Sequence, residues 1–430
     1  MALEHTDPDL AALLAGELRR QQDTLVMIAS ENFVSPAVLE ASGSVLTNKY
    51  SEGYPGKRYY TGNAWADRVE NLARERAKAL FGVGHANVQP YSGSPANLAV
   101  CFALLNPGDK LMGLHLSYGG HLTHGWKVSA SGVYYTAVPY TTDTEGRLDY
   151  DAIADIARQE RPKLIFCGAT AYPRIIDFAR FAAIAKEIDA FLVADISHIA
   201  GLVAGGAHPS PVGHADVITT TTHKTLRGPR GAMILCNGEP SEPLKPPPSR
   251  TREYLPSLID RAVFPGLQGG PHDHQTAAIA VALREASTPE FKDYARRIVE
   301  NARALADALT ESGGRLVTGG TDNHLILMDV TTFGTTGKIA AEALERAGIS
   351  TNMNAIPNDP RKPFDPSGIR LGTAALTTRG FTSDDMRIVG KAIADVLRNT
   401  TDDAVAERVR TTVRELTAAH PLYTKLRVPA

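Results

Sequence analysis

Cysteine is scarce in this chain. The three present in 430 residues, Cys101, Cys167 and Cys236, stand far apart with no paired spacing, which argues against a disulfide framework or a structural zinc site. They read as reduced core residues. Neither sign of charge dominates: 45 Lys and Arg against 47 Asp and Glu leave a formal net charge of −2. That balance provides no basic field for a nucleic-acid backbone and no polybasic segment for a membrane surface. Long apolar runs are also missing, with no stretch of about 18 uninterrupted apolar residues anywhere. Met1 to Leu10 is acidic and polar, where a secretory leader is basic and then apolar. Cytoplasm is therefore the expected location, with neither nucleic acid nor membrane as a partner. No internal repeat occurs, and the four threonines Thr219 to Thr222 read as strand rather than as biased sequence.

What is present is α/β patterning. Seven short apolar runs alternate with segments of helical periodicity: Asn87 to Tyr91, Lys110 to Leu114, Val133 to Val138, Lys163 to Cys167, Phe191 to Ile196, Val217 to Thr222 and Ala232 to Cys236. This predicts a large domain built on a mostly parallel, seven-stranded mixed sheet, with helices such as Ala96 to Leu105 and Tyr150 to Gln159 between strands. The later sequence reads as a smaller α+β domain, with a long helix over Pro289 to Ser312 and strands over His324 to Val330 and Ile369 to Gly372. We expect an N-terminal arm over 1–55, a large domain over 56–285 and a small domain over 286–430. The arm does not begin with a strand, and an oligomer interface is one explanation for it. Gly238 to Arg261, with Pro246-Pro247-Pro248, reads as a surface excursion, because three prolines in a row lack amide donors and fix their backbone.

Lys224 is the most informative residue. It follows the β-branched run Val217 to Thr222, so its amine is expected to project from a strand end into a site. Only a neutral amine attacks an aldehyde, which makes a sheltered lysine suited to a Schiff base with a pyridoxal phosphate type of cofactor. Such a cofactor also demands an acid for its ring nitrogen, a phosphate cradle and a ring cover. Asp195 ends the apolar run Phe191 to Ala194, where ligand sites of open parallel sheets form; a helix cap is its plainer reading. Ser92-Gly93-Ser94 follows a strand-like run and opens a helix, offering amide and hydroxyl donors to a phosphate. Gly82-Val83-Gly84 lacks the third glycine of a dinucleotide fingerprint, so NAD is not indicated.

Gly119 to Gly125 sets His121 and His124 three residues apart among glycines. They suit either an aromatic platform or a metal pair, but the spacing to His272 and His274 matches no zinc signature, and no metal is expected. Ser51 to Tyr60 is a Gly- and Pro-turned loop dense in hydroxyls and charges, in which Glu52 is the candidate acid or base. Arg370 lies inside an apolar strand-like run, where an unpaired guanidinium is costly. It requires an anion, either a substrate carboxylate or an internal acid.

Taken together, these segments resemble serine hydroxymethyltransferase, a pyridoxal phosphate enzyme of fold type I, the aspartate aminotransferase class. The likeness runs from about Leu10 to Arg398 and is most specific at Ile28 to Asn32, Glu52 to Tyr60, Gly119 to Gly125, Thr222 to Gly231, Phe264 to Pro271 and Ser367 to Thr373. It implies that Lys224 forms the Schiff base, Asp195 binds the ring nitrogen, His121 stacks on the ring, and Thr170 and His198 lie near the phenolic oxygen. Ser92, Gly93 and Ser94 would hold the phosphate, joined by Gly269 and Gly270 from a second subunit. Tyr50, Glu52 and Tyr60 would likewise serve the neighbour's site, so at least a homodimer, or a tetramer, is implied. Ser30 and Arg370 would grip the amino-acid carboxylate, with Glu52, Tyr60 and His198 also at the substrate. Leu116, Gly120, Leu122 and Asn354 match folate contacts. Lys224, Glu52, His121, Thr221, His223 and Tyr60 make up the implied catalytic set. The implied reaction passes a one-carbon unit from L-serine to tetrahydrofolate, giving glycine and 5,10-methylenetetrahydrofolate. Trp126 after His124-Gly125 and Ala374-Ala375 after Thr373 depart from the family pattern. Relatives with nearly the same cofactor site act on α-methylserine, or cleave threonine-type β-hydroxy amino acids without folate.

Overall fold

Strands in a sheet covered on both faces are buried along their length, and five of the seven in the main sheet are buried at every position. The computed structural model describes residues 2–237, 255–424 and 426. Its main sheet comprises β1 (His85–Asn87), β2 (Lys110–Leu114), β3 (Thr136–Tyr140), β4 (Leu164–Cys167), β5 (Phe191–Asp195), β6 (Val217–Thr221) and β7 (Ala232–Cys236). The spatial order is β1-β7-β6-β5-β4-β2-β3. Neighbours from β6 through β3 pair in parallel, and β7 runs antiparallel to both β6 and β1. The expected mixed, mostly parallel seven-stranded sheet is therefore present. Val100, Leu104, Leu111, Phe166, Val193 and Ile234 share one buried cluster that seals the Gly93–Leu104 helix to the sheet.

Two strand boundaries need correction. The first strand is His85–Asn87 rather than Asn87 to Tyr91, because Pro90 has no amide to donate to a ladder. The third begins at Thr136, since Ala130–Tyr134 is helical; its Pro139 is accommodated because β3 is an edge strand. Of the excursion, residues 238–254 lie outside the described residues. Its end, Leu255–Arg261, is a helix whose Leu255, Leu258 and Ile259 are buried, following their helical spacing.

The chain divides into two compact units, Ala37–Arg296 and the residues up to Pro36 together with those from Arg297 onward. The second unit holds an antiparallel sheet with β8 (Arg315–Leu316), β9 (Leu325–Asp329), β10 (Asn352–Asn354) and β11 (Gly368–Gly372), in the order β8-β9-β11-β10. Leu25 and Met27 of the N-terminal segment share its core with Leu305, Leu309, Ile326, Met328, Leu344, Ile369 and Ile393. Among the described residues, no helix is long and apolar enough to cross a membrane.

Candidate active site

Parallel strands bring their C-terminal ends together, and the candidate residues gather at that end of β2, β4, β5 and β6. Asp195 is the last residue of β5 and only 8% exposed. Its Oδ2 accepts hydrogen bonds from Asn97 Nδ2 at 2.8 Å and from His124 Nε2 at 3.1 Å, and its Oδ1 accepts the Ser197 amide at 3.0 Å. Burial pushes this carboxyl toward its neutral form, but the His124 contact and charge, with help from His121 and Ser197, outweigh it. The group is held far below the usual carboxylate range. His124 is fixed in turn by stacking on Phe166, with ring centroids 4.6 Å apart.

Lys224 is 9% exposed and lies in the connection between β6 and the reversed strand β7. The connection is closed on itself: the Gly228 amide donates to Thr222 O at 2.7 Å, Thr222 Oγ1 to Pro229 O at 2.7 Å, and the Arg227 amide to Lys224 O at 3.0 Å. It is also tied to the turn after Asp195. The Thr221 amide donates to Ser197 Oγ at 3.0 Å and Thr225 Oγ1 to the carbonyl of buried His198 at 2.8 Å. His223 is pushed down to about 3, by burial first and then by Arg230 and Lys224, so it is a neutral imidazole at physiological pH.

At the phosphate turn, Ser92 caps the Gly93–Leu104 helix in extended geometry without a side-chain capping bond. The helix has no acidic residue in its first turn, so first-turn amides with the Ser92 and Ser94 hydroxyls form the donor set that a phosphate needs. The ring-cover candidate His121 is held by Thr123, whose hydroxyl lies 2.7 Å from Nδ1 and whose amide donates to the same atom at 3.2 Å. Burial, then His124 and Lys224, lower it to about 4 against the opposing pull of Asp195. An uncharged, apolar-faced imidazole suits a ring cover. Gly120 turns so close to Leu114 O that any side chain there would collide with it, and Thr170 Oγ1 donates to Gly120 O at 2.8 Å. Leu116 and Leu122 open short 3-10 turns on either side. A cavity of about 260 Å³ adjoins this corner, lined by His115, Leu116, His121, Trp126 and Pro139 among others.

A second group assembles from distant sequence. Tyr50 Oη donates to Glu52 Oε1 at 3.2 Å, and Tyr50 and Tyr60 meet edge to face at 5.3 Å. Gly270 lies against the Tyr50 ring and Gly269 against the Glu52 carboxylate. This group faces outward, with Tyr50 54% and Tyr60 51% exposed. In the other unit, Arg370 is central in β11 and donates from Nε to Asn352 Oδ1 at 3.1 Å; burial lowers it to about 10, still a cation. Ser30 belongs to the turn after Leu25–Val26, and that segment joins β11 through the Gly372 amide and Met27 O, 2.7 Å apart. Asn354 closes β10, pairing across to Gly368.

Asn97 and Ser197 were not singled out as site residues by sequence, and His124, paired there with His121 as a platform or metal candidate, was not tied to Asp195. Asn97 donates to both Asp195 and Thr123 and accepts from Thr219 Oγ1 at 2.6 Å. The available signal was a polar residue on the otherwise apolar face of the Gly93–Leu104 helix. Ligand atoms of His121, His124 and Asp195 lie within 4.8 Å of one another, although Asp195 Oδ2 already accepts two hydrogen bonds. The His272 segment is engaged elsewhere: His272 stacks on Tyr91 at 4.1 Å, and Asp273 accepts Ser51 Oγ at 2.8 Å.

Comparison with known proteins bears directly on this arrangement. A family model described as serine hydroxymethyltransferase matches residues 3–393. Proteins named serine hydroxymethyltransferase are 59% identical over 427 residues in Acidothermus cellulolyticus and 58% identical over 421 residues in Sorangium cellulosum, each alignment covering 98% of this chain and 96% of the relative. That of Desulfotalea psychrophila is 56% identical over 420 residues, covering 98% and 95%.

Proposed function

Because the chain belongs to the serine hydroxymethyltransferase family, we propose how its own residues divide the work of that reaction. The chain is a pyridoxal phosphate-dependent transferase that interconverts serine and glycine with tetrahydrofolate. Pyridoxal phosphate, when bound, supplies an aldehyde for amines and a protonated ring that draws electrons from the substrate's α-carbon. The observation that carries the residue assignment is Asp195. A buried carboxylate kept anionic by His124, Asn97 and Ser197, on the strand beside the one leading to Lys224, is the group needed to hold a proton on a ring nitrogen.

Lys224 then supplies the amine that holds the aldehyde and yields to the substrate's amine. Ser92, Gly93 and Ser94 take the phosphate, neutral His121 covers one ring face, and Thr170 and His198 attend the phenolic oxygen. Thr221 and His223 shape the surroundings of the lysine. Arg370 and Ser30 hold the substrate carboxylate, and Glu52, with Tyr60 beside it, moves the proton at the hydroxymethyl oxygen. Leu116, Gly120, Leu122 and Asn354 contact the folate. We infer that Tyr50, Glu52, Tyr60, Gly269 and Gly270 serve a neighbouring subunit, so that the working unit is at least a dimer. Their assembly into one partly exposed group on a single chain, with Tyr50 and Tyr60 on its open side, supports this. Functionally we divide the chain into an arm of 1–55, a cofactor domain of 56–285 and a C-terminal domain of 286–430. Three buried, unpaired cysteines fit a cytoplasmic enzyme.

Absorption of the purified protein with glycine, before and after adding tetrahydrofolate, tests the assignment. A long-wavelength band should grow on adding folate, and Lys224→Ala should lose covalent capture of the cofactor by borohydride. Borohydride capture that persists in Lys224→Ala removes Lys224 from its role. A glycine spectrum indifferent to folate, with rapid folate-independent cleavage of allo-threonine, refutes the hydroxymethyl-transfer reading.

A further inference from the structure

A carboxylate that moves a proton must be held within a fraction of an ångström of its target, yet Glu52 sits beside a ribbon of two residues per strand, Gly53–Tyr54 with Lys57–Arg58. Such a ribbon is marginal alone. Its support is a guanidinium. The Arg58 side chain is 3% exposed, and its donors are distributed over four acceptors. Nη1 donates to Ser51 O and to Gly53 O, each at 2.8 Å, while Nε donates to Asp67 Oδ1 at 2.8 Å and Nη2 to Glu70 Oε2 at 2.7 Å. The two carbonyls it grips flank Glu52. The carbonyl of Glu52 itself accepts the Tyr59 amide at 3.1 Å, so three successive carbonyls are fixed.

Further contacts close the frame. Gln89 Nε2 donates to Gly53 O at 3.0 Å and to both Glu70 oxygens, at 3.0 and 3.1 Å. Ser51 Oγ donates to buried Asp273, and the Gly56 amide donates to Asp67 Oδ2 at 2.9 Å. Gly53, at φ +97°, tolerates no side chain because one would strike Lys57 O. Asp67 and Glu70 are ion-pair partners of Arg58, both within 2.8 Å. Its grip on the Glu52 segment is through backbone carbonyls.

We propose that Arg58 is a positioning residue for the proton transfer assigned to Glu52, the buried fork holding the backbone on both sides of that carboxylate. The inference rests on the role proposed above for Glu52, and the test separates the two. Arg58→Lys keeps a cation beside Glu70 but replaces a planar fork with a point charge that cannot span four acceptors. With serine and tetrahydrofolate, this variant should lose about tenfold in kcat, as expected for a misplaced catalytic group, with the KM for serine within about twofold of wild type. The same substitution in a Glu52→Gln background should cost less than about twofold, because residues acting through one another are non-additive. Equal losses in both backgrounds, or an unchanged kcat in Arg58→Lys, overturn the positioning role while leaving Glu52 in place. A wild-type kcat in Glu52→Gln alone removes the proton role, and the mount with it. Should Arg58→Lys not yield folded protein, Gln89→Met replaces it by deleting one donor to Gly53 O while sparing the ion pairs. A kcat loss confined to the Glu52 background supports the proposal, and equal losses or none overturn it.

Discussion

His121 and His223 each set an imidazole where its charge is disfavoured, at about 4 and about 3. Both values lie below the ordinary 6.5 of an unfolded histidine. Below about pH 6.5 each therefore binds more proton in the unfolded chain than in the folded one, so the stability these two groups contribute falls as pH drops from about 6.5 to about 4 for His121 and to about 3 for His223. For His121 the difference amounts to at most about 3 kcal/mol. Urea unfolding of the cofactor-free protein at pH 7.5, 6 and 5 measures it, and His121→Phe should show a shallower decline than the parent; parallel declines would mean the ring is not held neutral. Asp195 was legible in sequence because it ends an apolar run where a strand delivers its last side chain, and Lys224 because it follows such a run, although it lies in the connection beyond Thr221, the strand's last residue. Asn97 was not, and His124 only as half of a histidine pair. Their meaning lies in contacts to a carboxylate 98 and 71 positions away, which no local pattern encodes.

At the level of elements, the N-terminal helix Pro8–Asp23 and the C-terminal helix Asp403–Ala419 depend on Arg379, at the end of the Ala374–Arg379 helix. Its Nε donates to His420 O, Nη1 to Gln21 O and Thr24 O, and Nη2 to Gln22 O and Thr417 O, all between 3.0 and 3.2 Å. Arg379→Met leaves five carbonyls without that donor, four of them in part-buried and one in buried surroundings, and should cost about 3 kcal/mol. A lowered denaturant midpoint, with earlier proteolytic release of the N-terminal helix, is the expected result; an unchanged midpoint would show that water replaces the guanidinium. Helices and central strands were largely readable because period and burial agree in them. The first strand slipped because Val88, Gln89 and Pro90 are buried like strand residues while Pro90 withholds a ladder donor, and Leu255–Arg261 was absorbed into a proline-rich stretch it does not resemble internally.

At the scale of the molecule, Tyr50 and Glu52 are over 200 residues from Gly269–Gly270 in sequence yet meet them in one partly exposed group. A single sequence read from within one chain cannot say whose site that group completes; only the family likeness suggested the neighbour. If it is the neighbour's, Lys224→Ala and Glu52→Gln chains, each strongly impaired alone, should on co-expression recover about a quarter of wild-type activity, because half of the assemblies are mixed and each of those has one intact site. No recovery in verified hybrids would assign Glu52 to its own chain. The reversed strand β7 has a consequence of its own. Because β6 and β7 are neighbours, the loop bearing Lys224 is anchored at both ends and closed by its own hydrogen bonds. In the role proposed for Lys224, an amine displaced by an amino acid would stay tethered at a local concentration far above that of any dissolved amine. On that proposal, product release would be a contest between a leashed nucleophile and a free one, with the short leash favouring turnover over product retention.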